Sequence, residues 1–167
     1  VAEKYEKETG KHIPVIAAGG IYDGSDIARL FRMGIEGVQM STRFLATEEC
    51  SLPANCKQII LDAEEQDMAI IKSPVGMPGR AVKNDLVKRI LNGEKMPISC
   101  GYRCLKTCDP SEASFCIAAA LVAAHNGDDK NGLLMAGYNG YRVREIVPVK
   151  TLVDELVSQT MATLHAN

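Results

Sequence analysis

The sequence has no tryptophan and only three phenylalanines among its 167 residues. Stacking platforms for single-stranded nucleic acid are built from such rings, so their scarcity disfavours that class of partner. No excess of either charge is present: 19 Lys and Arg stand against 21 Asp and Glu, a formal net charge of -2. A basic stripe for nucleic acid or an anionic membrane surface is missing. No apolar run reaches the 18 or so residues that a membrane-spanning helix needs. The sequence opens on Val1 with no initiator methionine and no signal peptide, from which a fragment of a longer, cytoplasmic protein is expected. What is present is ordinary for a folded chain: 46% hydrophobic and 24% charged residues, enough for one domain with a real core.

Six cysteines without a secretory signal read as reduced thiols rather than a disulfide framework. Four of them, Cys100, Cys104, Cys108 and Cys116, fall within 17 residues. Such a group can bind zinc or an iron–sulfur cluster, yet the C-x3-C-x3-C-x7-C spacing matches neither zinc ribbons nor common ferredoxin runs. The alternative is a set of small core residues, and no metal ligand is assigned. Cys50 and Cys56 read as structural.

Along the chain, residues 1–9 read as a charged helix closed by Gly10. Residues 13–21 form a nearly continuous apolar run, the pattern of a strand buried on both faces. Asp23-Gly24-Ser25-Asp26 supplies turn and cap chemistry, with Ser25 or Asp26 as the expected N-cap of a helix carrying Ile27, Leu30, Phe31 and Met33. Gly34 closes it, and residues 37–44 read as a second strand. This is the size of a parallel βαβ crossover. Beyond it, residues 50–68, 84–92, 112–126 and 149–164 read as helices. Residues 69–72 read as a short strand and 73–80 as a Gly/Pro loop. Residues 93–110 are irregular. The last helix carries Leu152, Val153, Leu156, Val157 and Met161 on one side.

The strongest chemical signal is the pair of strand ends, Ala17-Ala18-Gly19-Gly20-Ile21 and Gln39-Met40-Ser41-Thr42-Arg43-Phe44. Consecutive glycines let a backbone approach phosphate oxygens closely, and the neighbouring helix N-terminus favours an anion. Ser41 and Thr42 add hydroxyl donors. A lone Gly-Gly is also a plain tight turn; two such ends one crossover apart favour phosphate. Arg43 reads equally as a phosphate contact or as half of a rim ion pair. His12 precedes the first strand, His125 ends a helix and His165 lies in the tail, so no catalytic residue is named.

These residues carry a resemblance. Residues 13–21, then Gly34, Glu36-Gly37-Val38-Gln39-Met40 and Thr42-Arg43-Phe44 resemble the FMN-phosphate region of nitronate monooxygenases and of flavin-dependent enoyl-acyl-carrier-protein reductases. Gly76-Met77-Pro78-Gly79-Arg80 resembles the family's G-x-P-x-R loop, and Asn131-Gly132, Met135-Ala136-Gly137 and Val147-Pro148-Val149-Lys150 resemble its end. The chain departs from the family at Ser41, where glycine is usual.

The resemblance implies an α/β fold: the last strands of a (β/α)8 TIM barrel in residues 1–50, with a mainly helical extension in 51–167. It implies FMN held at Ala18, Gly19, Gly20, Gln39, Met40, Ser41 and Thr42, with Met135-Ala136-Gly137 either returning to that mouth or packing as an ordinary turn. The implied activity is oxidation of nitronates with O2. The alternatives are reduction of an enoyl thioester with NAD(P)H, another phosphate-binding barrel such as an inosine-phosphate dehydrogenase, or a metal-binding module around the cysteines. The proton-handling histidine is implied to lie upstream, in a missing N-terminal part of the same protein. Two strands cannot close a barrel, so weak FMN binding and a possible homodimer through the open face are expected of the chain alone.

Overall fold

The computed structural model describes residues 1–101, 103–106 and 108–166. Helix α1 (Ala2–Thr9) buries none of its residues and ends where Gly10 takes a left-handed φ of 68° and donates its N–H to the Glu6 carbonyl. Strand β1 (Ile16–Ala18), helix α2 (Gly24–Arg32) and strand β2 (Gly37–Gln39) then form the crossover. The two strands are parallel, with Ile16 beside Gly37 and Ala18 beside Gln39.

The strands differ from the sequence reading in burial and length. Ile16 is 55% exposed, because among the described residues β1 pairs with β2 alone and a parallel strand needs cover on both faces. The second strand stops at Gln39, and the chain bends at Ser41 into the short helix α3 (Thr42–Leu45). The cap of α2 is Asp23 rather than Ser25 or Asp26. Its carboxylate accepts the Asp26 N–H at 3.0 Å, while Asp26 accepts the Tyr22 N–H in return. Ser25 Oγ donates to Asp23 at 2.6 Å, a supporting role. Of the proposed apolar stripe on α2, Ile27 is buried, whereas Phe31 and Met33 are exposed.

Helix α4 (Ala54–Asp62) replaces the longer helix read over 50–68, and a 3-10 turn (Glu65–Asp67) follows it. Strand β3 (Met68–Lys72) leads into the Gly/Pro segment, which is a hairpin: strand β4 (Pro78–Val82) pairs antiparallel with β3. Gly76, at φ 98°, permits the reversal, and Pro78 sits at the end of the ladder. Asn84 caps α5 (Asp85–Leu91) through the Val87 N–H. Helix α6 (Ile117–His125) starts five residues later than the pattern suggested. A 3-10 turn (Tyr138–Arg142) precedes the long α7 (Val149–His165).

Two contacts organise these pieces. The chain leaves the crossover at Thr47 and returns at Val147, where the two residues form a parallel bridge. Everything between is an excursion closed at its base, with its own cores around Ile60 and Met68 and around Ile71, Val87 and Phe115. The buried Lys57 ammonium donates to the Thr47 carbonyl at 2.6 Å, fixing the exit point. Glu49 accepts the Val149 N–H at 2.9 Å and so caps the returning helix.

The second contact is the seam of α7 on α2. Ile27, Leu152 and Leu156 form its core, joined by buried Thr160. The other half of the expected α7 stripe, Val153, Val157 and Met161, is exposed: the buried row follows every fourth residue, one position away. The helices approach so closely that a Cβ on Gly24 would lie 2.4 Å from Gln159 Cβ and from the Thr160 nitrogen. Gly24→Ala should therefore force the helices apart. A loss of about 2 kcal/mol is expected in denaturant unfolding of the full-length protein, against a negligible change for Ser25→Ala on the solvent side of the same turn.

Candidate functional site

A cavity of about 300 Å³ opens at the C-terminal ends of β1 and β2. Gly19 and Gly20 form one wall, at φ 84° and 72°, with nothing within 4 Å of where a side chain would begin. Any L-residue would be strained there, and the wall stays bare backbone. Gln39, Met40, Ser41 and Thr42 form the second wall. Six of the seven residues proposed for the cofactor are thus brought together. Ala18, the last residue of β1, does not line the cavity. Ser41 has φ -133°, outside the left-handed region that favours glycine, and its hydroxyl makes no capping bond.

The far side comes from the excursion. Met135, Ala136 and Gly137 line the cavity, which settles the open choice for that segment in favour of a return to the strand ends. Two hydrogen bonds hold it there. Thr42 Oγ1 accepts the Gly137 N–H at 2.8 Å, and Asn139 Nδ2 donates to the Gly20 carbonyl at 2.9 Å. Arg80 on β4 also reaches the cavity, its guanidinium 5.4 Å from the Tyr138 ring centre. Among the described residues, its guanidinium has no ion-pair or hydrogen-bond partner. It is the uncompensated cation of the site. Neither Asn139 nor Tyr22 was singled out by sequence, and Arg80 was noted only within its loop pattern. Each reaches the cavity through tertiary packing that no local signal records.

Arg43 takes the other of its two readings. Its side chain is only 11% exposed, and its guanidinium pairs with Glu155 on α7 at 3.1 Å and lies 4.7 Å over the Tyr22 ring. Arg142 lies 4.0 Å over the same ring and pairs with Asp23 at 3.0 Å. Partial burial works to raise the Asp23 pKa, but hydrogen bonds from Ser25, the Asp26 N–H and Arg142 outweigh it, so the carboxyl sits below its usual value. Asp23 therefore stays a carboxylate and keeps Arg142 engaged.

The three histidines lie elsewhere. His12 is at the opposite end of β1 from the cavity, bonded to Glu36 at 2.8 Å and to Glu6 at 3.4 Å. Those two carboxylates, Glu36 first, raise its pKa. The protonated pair contributes below the unfolded value of about 6.5 and is lost as pH rises through the folded value, a structural and exposed interaction.

With this geometry the chain is an α/β protein whose cavity suits an anionic ligand. It belongs to the nitronate monooxygenase family, whose family model matches residues 2–159. A carboxyl-CoA dehydrogenase of Rhodococcus jostii, acting on a 5-hydroxy-7a-methyl-1-oxo-octahydro-indene acid thioester, is 40% identical over 84 residues, 50% of this chain and 24% of the relative. A probable nitronate monooxygenase of Staphylococcus haemolyticus is 40% identical over 76 residues, 46% of this chain and 21% of the relative. Among solved structures, FabK of Thermotoga maritima superposes with a TM-score of 0.74 at 28% identity, covering 98% of this chain and 49% of that one. Nitroalkane oxidase of Streptomyces ansochromogenes gives 0.70 at 25% identity, covering 96% and 43%. The chain thus spans about half the length of these solved relatives, and its aligned part about a quarter of the curated ones. Among the described residues no helix is long and apolar enough to cross a membrane.

If Arg80 is the charge that meets an anion here, Arg80→Gln should weaken binding of a phosphate-bearing ligand to the full-length protein by about tenfold or more. Lys72→Gln, which removes an exposed cation from the same hairpin, should leave affinity unchanged. Isothermal titration of both variants checks this.

Proposed function

We propose that this chain is the C-terminal part of an FMN-dependent oxidoreductase that oxidises nitronates with O2. The observation that carries the proposal is the meeting of two strand ends, Gly19-Gly20 and Ser41-Thr42, with the unpaired Arg80 guanidinium at one cavity in a chain of this family. The residues fit an FMN phosphate. The bare glycine wall admits oxygens at close range, Ser41 and Thr42 offer hydroxyls, and Arg80 balances charge. Bound flavin would supply the electron-transfer chemistry, as cofactors do in such enzymes.

The chain's own groups bind and orient. Asn139 donates to the Gly20 carbonyl, which ties the glycine wall to the 3-10 turn of the excursion. Met40, Met135 and Ala136 make part of the wall apolar. Tyr22, Arg43 and Arg80 are the titratable groups of the wall, and no histidine is among them. We assign proton transfer to the remaining half of the protein, which in this reading also supplies the other barrel strands. Exposed Ile16 on β1 and Val15 just before it are the apolar edge those strands would cover. The isolated chain should bind FMN weakly and be inactive, with a homodimer through that edge as the route open to it.

A second reading keeps the flavin and changes the substrate. The likeness to a CoA-thioester dehydrogenase and to FabK supports a thioester, including NAD(P)H-dependent reduction of an enoyl-acyl carrier. Two assays on the full-length protein separate the readings. Oxygen uptake on adding an alkyl nitronate, without any nicotinamide, is the expected result. NAD(P)H oxidation that depends on an enoyl thioester, with no nitronate turnover, would replace the first reading by the second.

A further inference from the structure

We propose that Cys100, Cys104, Cys108 and Cys116 form a tetrathiolate site for a thiophilic metal centre, a zinc ion or an iron–sulfur cluster, independent of the flavin cavity. All four are free thiols, and all four line one cavity of about 510 Å³, although Cys116 is the N-cap of α6 and the others come from the irregular chain before it. Four of the six cysteines in the protein thus converge at one place, while Cys56 is buried in the core with its Sγ toward the Ala124 carbonyl at 3.5 Å.

Two further observations point the same way. The segment between α5 and α6 has no helix or strand among its described residues, and little packs it: Met96 and Phe115 are its contributions to the neighbouring core. A stretch of that length without secondary structure is uncommon inside a compact domain and calls for a device that holds it. A metal clip is one. The lining is also charged with the right sign. Arg103 and Lys106 face the cavity, and among the described residues neither has an ion-pair partner. Four thiolates around a divalent ion, or around an oxidised four-iron cluster, carry a net charge of about two minus, which these two cations balance.

As they stand, no three of the described cysteines are close enough to hold an ion. Binding therefore entails tightening of the loop around the metal. For zinc, each thiol gives its proton to solvent as its sulfur bonds the ion, so one Zn2+ and four thiols yield the tetrathiolate and four protons. For a cluster, the same four sulfurs ligate iron.

The test uses the full-length protein purified under anaerobic, reducing conditions, with metal and acid-labile sulfide analysis beside titration of reactive thiols. The expected result is about one zinc, or about four iron with as many sulfides, per chain. Four of the six thiols should be protected until a chelator is added. Cys104→Ser and Cys116→Ser should each lose most of the metal, while Cys50→Ser keeps it. Flavin content measured in parallel shows that the variants remain folded. A protein that is metal-free as isolated, that takes up neither Zn2+ nor iron with sulfide on reconstitution, and whose thiols all react without chelator would overturn the proposal. So would metal content unchanged in Cys104→Ser and Cys116→Ser.

Discussion

Tyr22 is the residue on which the geometry of the cavity depends. Its ring lies beneath two guanidinium groups, Arg43 and Arg142, and its hydroxyl donates to the Arg142 carbonyl at 2.7 Å. Its backbone N–H goes to Asp26 and its carbonyl accepts from Arg43 at 3.4 Å. One residue therefore ties the loop after β1, the helix after β2, the 3-10 turn of the excursion and, through Arg43 and Glu155, the last helix. Each cation over the ring is also paired with a carboxylate, so the stack carries little net charge next to the Arg80 guanidinium. The positive potential at the cavity then comes from Arg80 and from the backbone of the strand ends.

The excursion makes the rest of the site. Because Thr47 and Val147 bridge at its base, residues distant in sequence return to the strand ends at fixed height. The hairpin offers Arg80. The Met135-to-Asn139 segment, held to β4 by an isolated bridge between Ala81 and Met135, offers Gly137 and Asn139. Helix α7 then goes back to α2, and Gly24 allows the close approach that completes the seam. The βαβ crossover and the excursion are thus coupled at the cavity wall, which is where a ligand would bridge them.

Much of this was legible in the sequence. Gly10 and Gly34 mark helix ends, the 3.6-residue spacing marks α2 and α7, and the two glycine- and hydroxyl-rich strand ends mark the cavity. What was not legible has physical causes. Strand burial depends on neighbours outside the segment, so an apolar run could not reveal that Ile16 stands exposed. Asp23 beat Ser25 as a cap because the helix starts at Gly24, where α7 presses on it, and that pressure is tertiary. Prolines and glycines at 74–79 read as a loop, since an edge hairpin tolerates both where no ladder donor is needed. Arg43 had two plausible partners, and only the position of Glu155, more than a hundred residues on, chose between them. At Ser41, where the resembled family usually has glycine, the backbone is not left-handed, so the conformation itself does not call for glycine.

The central claim is that these strand ends seat a phosphate. It is tested most directly by comparing the affinity of the full-length, flavin-stripped protein for FMN with that for riboflavin, which lacks the phosphate. FMN is expected to bind at least about tenfold more tightly, as charge-assisted hydrogen bonds to one phosphate allow, with the gap narrowing as ionic strength rises. Equal affinity for the two flavins, or no affinity for either, would contradict it.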